Sequence, residues 1–128
     1  MNLIPSFCLL ALLVYLAFEN YFHCQRLKKI PKRIAVTGIR GKSSITRLIA
    51  WGLRSAGFRV MAKTTGSKPV LIYPDGREEE IKRKGRTSLL EQKDLAKIAV
   101  KEKADFLVAE MMSIQPECLR AENKYLLR

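Results

Sequence analysis

The sequence predicts an α/β protein: an amino-terminal transmembrane helix, then a partial parallel sheet with flanking helices and a small β-hairpin. Three observations predict it. Residues 3–18 carry no charge. Beyond residue 33, short apolar runs of strand length alternate with stretches whose apolar residues recur at helical spacing. A Gly-x-x-Gly-Lys-Ser string, Gly38 to Ser43, falls where the first such run ends and the first periodic stretch begins. The expected division is a membrane anchor over 1–22, a basic juxtamembrane linker over 23–33, and a partial nucleotide-binding domain over 34–128.

The anchor is argued from length. About 20 helical residues cross the hydrocarbon core of a bilayer, and residues 3–22 just reach that span. Tyr21 and Phe22 suit the interface. A cleaved signal peptide fits less well: only the amino terminus supplies positive charge before the apolar run, and Ala17, Phe18 and Glu19 make no small-x-small cleavage site. A core helix would keep a polar face, which residues 3–18 lack. Arg26, Lys28, Lys29, Lys32 and Arg33 follow without an intervening acid. This positive flank predicts a single pass through the cell membrane, amino terminus outside and the remainder cytoplasmic. Contact of the flank with membrane lipid is compatible with the same charges.

Residues 33–37 read as a buried strand and Gly38 to Gly41 as a turn. Ile45, Leu48, Ile49, Leu53 and Ala56 mark a helix that Gly57 ends. Residues 58–63 read as a second strand. Two further runs, 70–73 and 77–83, flank Pro74-Asp75-Gly76, a turn sequence, and give an exposed hairpin. Ser88 to Glu91 has the form of a capping box for a helix carrying Leu95, Ile98 and Ala99. Residues 105–110 form a third parallel strand, and Pro116 opens a last helix. Three parallel strands in 95 residues make a thin sheet, so the chain is expected to be a fragment of a longer protein or to need a partner.

Composition excludes several classes. With 128 residues, at most one domain fits. Apolar residues make up 48 %, with 7 Gly and 5 Pro, which rules out a disordered tail or a collagen-like repeat. Cys8, Cys24 and Cys118 form no CxxC pair and no disulfide framework. A single histidine, His23, precludes a His-based metal cluster or triad, and its place beside the anchor predicts an interfacial side chain.

The candidate site is the loop of Gly38, Ile39, Arg40, Gly41, Lys42, Ser43 and Ser44. Backbone N–H groups at a helix start, with the helix dipole behind them, form an anion site. Gly38 and Gly41 permit the tight path around a phosphate. Lys42 is placed to reach the β- and γ-phosphates as the catalytic lysine, and the Ser43 hydroxyl to bind Mg²⁺. The full Walker pattern would need glycine at position 36, which is Val36. The bland alternative is a glycine turn with a surface lysine. Glu110 ends a buried strand at its carboxyl end, where ligands of open α/β sheets bind, and is the second candidate for the metal. Its alternative is a plain strand-end acid.

These residues carry a resemblance. Thr37 to Ser44 resembles the short phosphate loop of the Mur ligase superfamily, which likewise lacks the first Walker glycine. Within it, the order of pieces is similar to the membrane-anchored ligase subunits of poly-γ-glutamate synthase, the capsule synthesis proteins. Those pieces are the anchor, the basic linker, the loop, Ala62 to Gly66, Ile81 to Lys84, Glu91 to Lys93, and Val108 to Met112 before a proline. The resemblance covers essentially the whole chain, but the family's subunit is several times longer. It implies an ATP-dependent amide ligase that extends poly-γ-glutamate with glutamate through an acyl phosphate. The implied cofactors are ATP and Mg²⁺, and the implied partners are other membrane subunits of a synthase complex. It also implies weaker candidates: Lys63, Thr64 and Thr65 in a second strand-end loop, and Glu91, for which capping serves equally well.

Two other functions stay open at this point. A membrane-tethered kinase or ATPase of capsule export would usually show the full Walker glycine and a strand-end Asp. A non-catalytic nucleotide-binding assembly subunit would need only the anchor and loop. Net charge is +12, of which +8 falls in residues 34–128, and suits ATP and a polyanionic product. Nucleic acid is not expected, because no aromatic platform interleaves the basic residues and Trp51 falls inside a helix where burial is predicted.

Overall fold

A computed structural model describes residues 3–66, 68–82, 90–111, 120 and 126. The first helix, α1, runs Leu3–Lys28. It is long and apolar enough to cross a membrane, with mean hydropathy 1.8 over its best window and none of that window buried against the protein. The helix continues through much of the basic segment, so Arg26 and Lys28 form its last turn, where cations favour the helix dipole. His23 is buried, with Leu27 and Ile30 beside it in sequence also buried. The expected interfacial histidine is therefore a packed one, because the end of α1 lies against the domain rather than in solvent.

After α1 come β1 (Lys32–Val36), α2 (Lys42–Ser55), β2 (Val60–Thr64), β3 (Val70–Ile72), β4 (Glu78–Glu80), α3 (Leu90–Lys101) and β5 (Phe106–Glu110). The sheet order is β1-β5-β2-β3-β4. β5 runs parallel to both β1 and β2, with Ala35 opposite Ala109 and Ala62 opposite Val108. β2 and β5 are buried along their whole length, as strands covered on both faces must be, which explains the apolar runs 60–62 and 106–109.

The hairpin forms as the turn sequence dictates. Gly76 takes φ 92°, Gly76 N–H donates to Tyr73 O, and the Arg77 N–H donates to the Asp75 carboxylate. It is not a separate exposed ribbon, however. β3 pairs antiparallel with β2, so the hairpin extends the sheet and makes it mixed. Burial of Ile72 and Tyr73 against the two cores explains the difference. The Tyr73 hydroxyl donates to Glu79, which raises its pKa above the usual 10.0, since ionisation would lose that bond and set two negative charges together.

Two apolar cores sandwich the sheet. Val36, Ala50, Val60, Ala62, Phe106 and Val108 meet between α2 and one face. Ile30, Met61, Leu95, Ala99, Leu107 and Met111 meet on the other, with α3. α2 turns inward a stripe that only partly matches its apolar spacing: Ile49 and Leu53 pack against the core as expected. Thr46 and Ala50 are buried, while Ile45, Leu48 and Trp51 stand outward, 49, 68 and 65 % exposed. Small side chains at 46 and 50 sit at the contact with the sheet, and the buried Thr46 hydroxyl is satisfied by Lys42 O at 2.8 Å. The exposure of Trp51 removes one of the two grounds on which nucleic acid was not expected. The capping box at Ser88 lies outside the described residues. Of the last predicted helix only Arg120 and Leu126 are described, both helical, Leu126 in the second core.

Candidate functional site

The carboxyl ends of β1, β5 and β2 converge, and the loop from β1 into α2 closes over them. Gly38 takes φ 152° and Gly41 φ 74°, conformations that side chains disfavour. Gly41 is the N-cap of α2, no side chain caps that end, and its first turn holds no acid. The first backbone N–H groups of α2 therefore point out at the loop with the positive end of the dipole behind them. Adding a Cβ at Gly41 meets no atom within 4 Å, so only its backbone conformation opposes substitution. Gly41→Ala is expected to cost about 1 kcal/mol of stability without blocking space. Thermal melts of the variant against the parent check this.

Lys42 Nζ donates to the carbonyl of Met111 at 3.0 Å, which carries the ammonium across to the end of β5. Ser43 Oγ donates to Glu110 Oε2 at 2.7 Å, and the Thr65 N–H donates to the same oxygen at 2.8 Å. Glu110 is only 4 % exposed. One carboxylate thus ties together the three strand ends. The approach is close enough that a Cβ on Gly66 would stand 3.1 Å from Ser43 Oγ. Gly66 and the Met111 carbonyl were not singled out as site residues. The Lys-Thr-Thr-Gly string was visible as a loop, but a close backbone approach leaves no further signal in sequence.

The other candidates divide. Ile39, Arg40 and Ser44 are exposed around the loop. Thr64 is buried, its hydroxyl accepting the Val70 N–H at 3.3 Å to close the β2–β3 connection. Lys63 lies on the opposite face of the sheet, 1 % exposed, and pairs with Glu91 of α3 at 3.0 Å. Alternation along β2 puts Lys63 on the same face as Met61, toward α3, whereas Thr65 lies past the end of the strand and meets Glu110 through its backbone N–H. Among the described residues no group of three or more His, Cys, Asp or Glu could hold a metal ion. Ser43 and Glu110 are hard oxygen donors, and one carboxylate with a hydroxyl suits Mg²⁺, which takes its remaining ligands from water and substrate phosphates.

Two curated proteins align with most of the chain. The capsule biosynthesis protein CapB of Bacillus anthracis is 36 % identical over 119 residues, covering 91 % of this chain and 26 % of its own length. The PGA synthase CapB of Bacillus subtilis (strain 168) is 37 % identical over 108 residues, covering 83 % of this chain and 28 % of its own. The chain is similar to CapB proteins. It spans about a quarter of the length of these CapB relatives. No family model matches the chain, and no solved structure matches it.

Proposed function

We propose that this chain is the nucleotide-binding, membrane-anchored part of an ATP-dependent amide ligase that makes poly-γ-glutamate. The observation that carries the reading is the Ser43–Glu110 contact at 2.7 Å beneath an uncapped helix start, with Lys42 beside it. The similarity to CapB proteins supplies the class of product.

In this reading the triphosphate lies against the N–H groups at the start of α2, in a loop of the Mur-ligase kind. Lys42 exchanges the Met111 carbonyl for β- and γ-phosphate oxygens. Ser43 and Glu110 would hold Mg²⁺, which when bound neutralises charge on those same oxygens. A glutamate γ-carboxylate oxygen attacks the γ-phosphorus, the bond to the β-phosphate oxygen breaks, and ADP leaves. The amine of the next glutamate attacks the acyl carbon of the resulting acyl phosphate. Phosphate departs with the bonding pair, the nitrogen loses a proton, and an amide remains. Lys42 acts by placing positive charge where negative charge develops. Arg40, exposed beside it, is the second cation available to the phosphates. α1 anchors the assembly with the basic flank, and hence the ATP site, on the cytoplasmic side, beside other membrane subunits.

Acyl-phosphate formation is tested by trapping. Membranes carrying the protein, given ATP, Mg²⁺, glutamate and hydroxylamine, are expected to accumulate glutamyl hydroxamate. ATP hydrolysis that is indifferent to glutamate and yields no hydroxamate would contradict the ligase reading and favour an ATPase.

A further inference from the structure

The direction in which the site opens follows from how α1 is fastened to the domain. Glu19 of α1 pairs with Lys93 near the start of α3 at 3.3 Å. At the other end, Lys29 and Pro31, just after α1, share a cleft with Ala99, Val100 and Lys103, at and just past the end of α3. α1 and α3 therefore run side by side in the same direction. Between the two ends, His23 and Leu27 are buried. The Arg33 guanidinium donates to Leu27 O at 2.9 Å, pinning the last turn of α1 to the start of β1. The anchor is clamped along the domain rather than hung from it on a tether.

α3 returns directly into β5 through a short turn, and Ala104 N–H closes onto Ala99 O, so α3 runs opposite to β5 and to its parallel neighbours β1 and β2. The strands therefore point back along α1 toward the membrane. The levels agree: Lys93 meets Glu19, Glu91 two residues earlier meets Lys63, and Lys63 is in register with Ala109, next to Glu110. The end of the sheet that bears Glu110, Ser43 and Lys42 thus stands level with Glu19, immediately below the uncharged stretch of α1. The opposite end of the sheet lies about 14 Å deeper, the rise of α1 from Glu19 to Lys28.

We infer that the phosphate-loop end of the sheet faces the bilayer, with its rim set against anionic lipid headgroups. The rim has the composition such a contact needs. Ile39 is 83 % exposed, half-buried Ile81 stands beside exposed Lys82, and Lys68 is exposed in the β2–β3 loop. Pairing of the Ile81 N–H with Pro69 O puts the last two at one level. Apolar side chains alternating with cations suit the boundary between headgroups and acyl chains. Nucleotide then enters sideways along the membrane surface, and a polymer end held at the site is held at the bilayer plane.

This inference rests on α1 as the membrane anchor, and the test separates the two. The full chain, with its cysteines replaced by serine, receives a single cysteine at Lys68 or at Lys101, an exposed residue at the far end of α3. Each is labelled with the same fluorophore and reconstituted into vesicles of phosphatidylcholine and phosphatidylglycerol, with and without a quencher attached to the headgroup. The Lys68 label is expected to lose most of its emission, and the Lys101 label to keep most of it. Equal quenching at both positions, or stronger quenching at Lys101, in chains that float with the vesicles overturns the orientation while leaving the anchor intact. Chains that fail to float with vesicles overturn the anchor, and the orientation with it.

Discussion

Replacing Lys42 by alanine is expected to lower ATP affinity by about one to two orders of magnitude. The structure holds the ammonium against the end of β5, where it donates to Met111 O. Exchange of that neutral carbonyl for phosphate oxygens sets the ammonium against an ionised acceptor instead of a dipole, and bonds to charged groups contribute roughly 1.5–3 kcal/mol. The glycine path of the loop and the N–H groups of α2 survive the substitution, so binding weakens rather than disappears. Alanine is well tolerated in a helix, and the lost Met111 contact costs only about 1 kcal/mol of stability. Nucleotide titration of a variant whose far-ultraviolet spectrum matches the parent checks the expectation; unchanged affinity would make Lys42 a surface lysine on a glycine turn.

The largest effect on stability is expected at Glu91. Lys63 is almost wholly buried in the sheet and Glu91 is its partner at 3.0 Å, itself mostly covered. Removing one member of a buried pair leaves the other charge in a poorly solvating interior, a loss of about 3 kcal/mol or more. Against a typical 5–15 kcal/mol for a domain this is a large fraction. Glu91→Ala should therefore shift the denaturant midpoint strongly downward with the slope unchanged. The double change Lys63→Met, Glu91→Leu should recover much of the loss, because no charge is then left buried. If Glu91→Ala unfolds at the parent midpoint, the pair is not what holds α3 to β2.

That the loop and Glu110 meet was legible because glycine, lysine and serine at a strand-to-helix boundary and an acid at a strand end mark the same end of the sheet. The strand of Glu110 announced itself by four apolar residues and a terminal acid, and the structure sets that acid 2.7 Å from Ser43. Strand order was not legible: nothing local in residues 106–110 says that they insert between β1 and β2. The inward face of α2 was legible only in part, at Ile49 and Leu53, for a related reason. Ile45 and Leu48 have the apolar character of a core stripe, yet Thr46 and Ala50 are the side chains turned to the sheet. Periodicity finds a helix, while the choice of face is made by tertiary contact. Glu91 showed the same limit, since a first-turn acid reads as a cap until a buried lysine of β2 is seen to meet it.

In the proposed function Ser43 and Glu110 together hold the metal of a bound nucleotide. The measurement is ATP titration of the chain with and without Mg²⁺, for the parent and for Glu110→Gln. The carboxamide keeps the shape and can still accept from Ser43 and the Thr65 N–H, so only the charge offered to the metal is lost. The expected result is that Mg²⁺ tightens binding to the parent and has little effect on the variant, while metal-free affinities stay close. Equal Mg²⁺ dependence in both proteins, or a folded parent that binds no ATP, would contradict it.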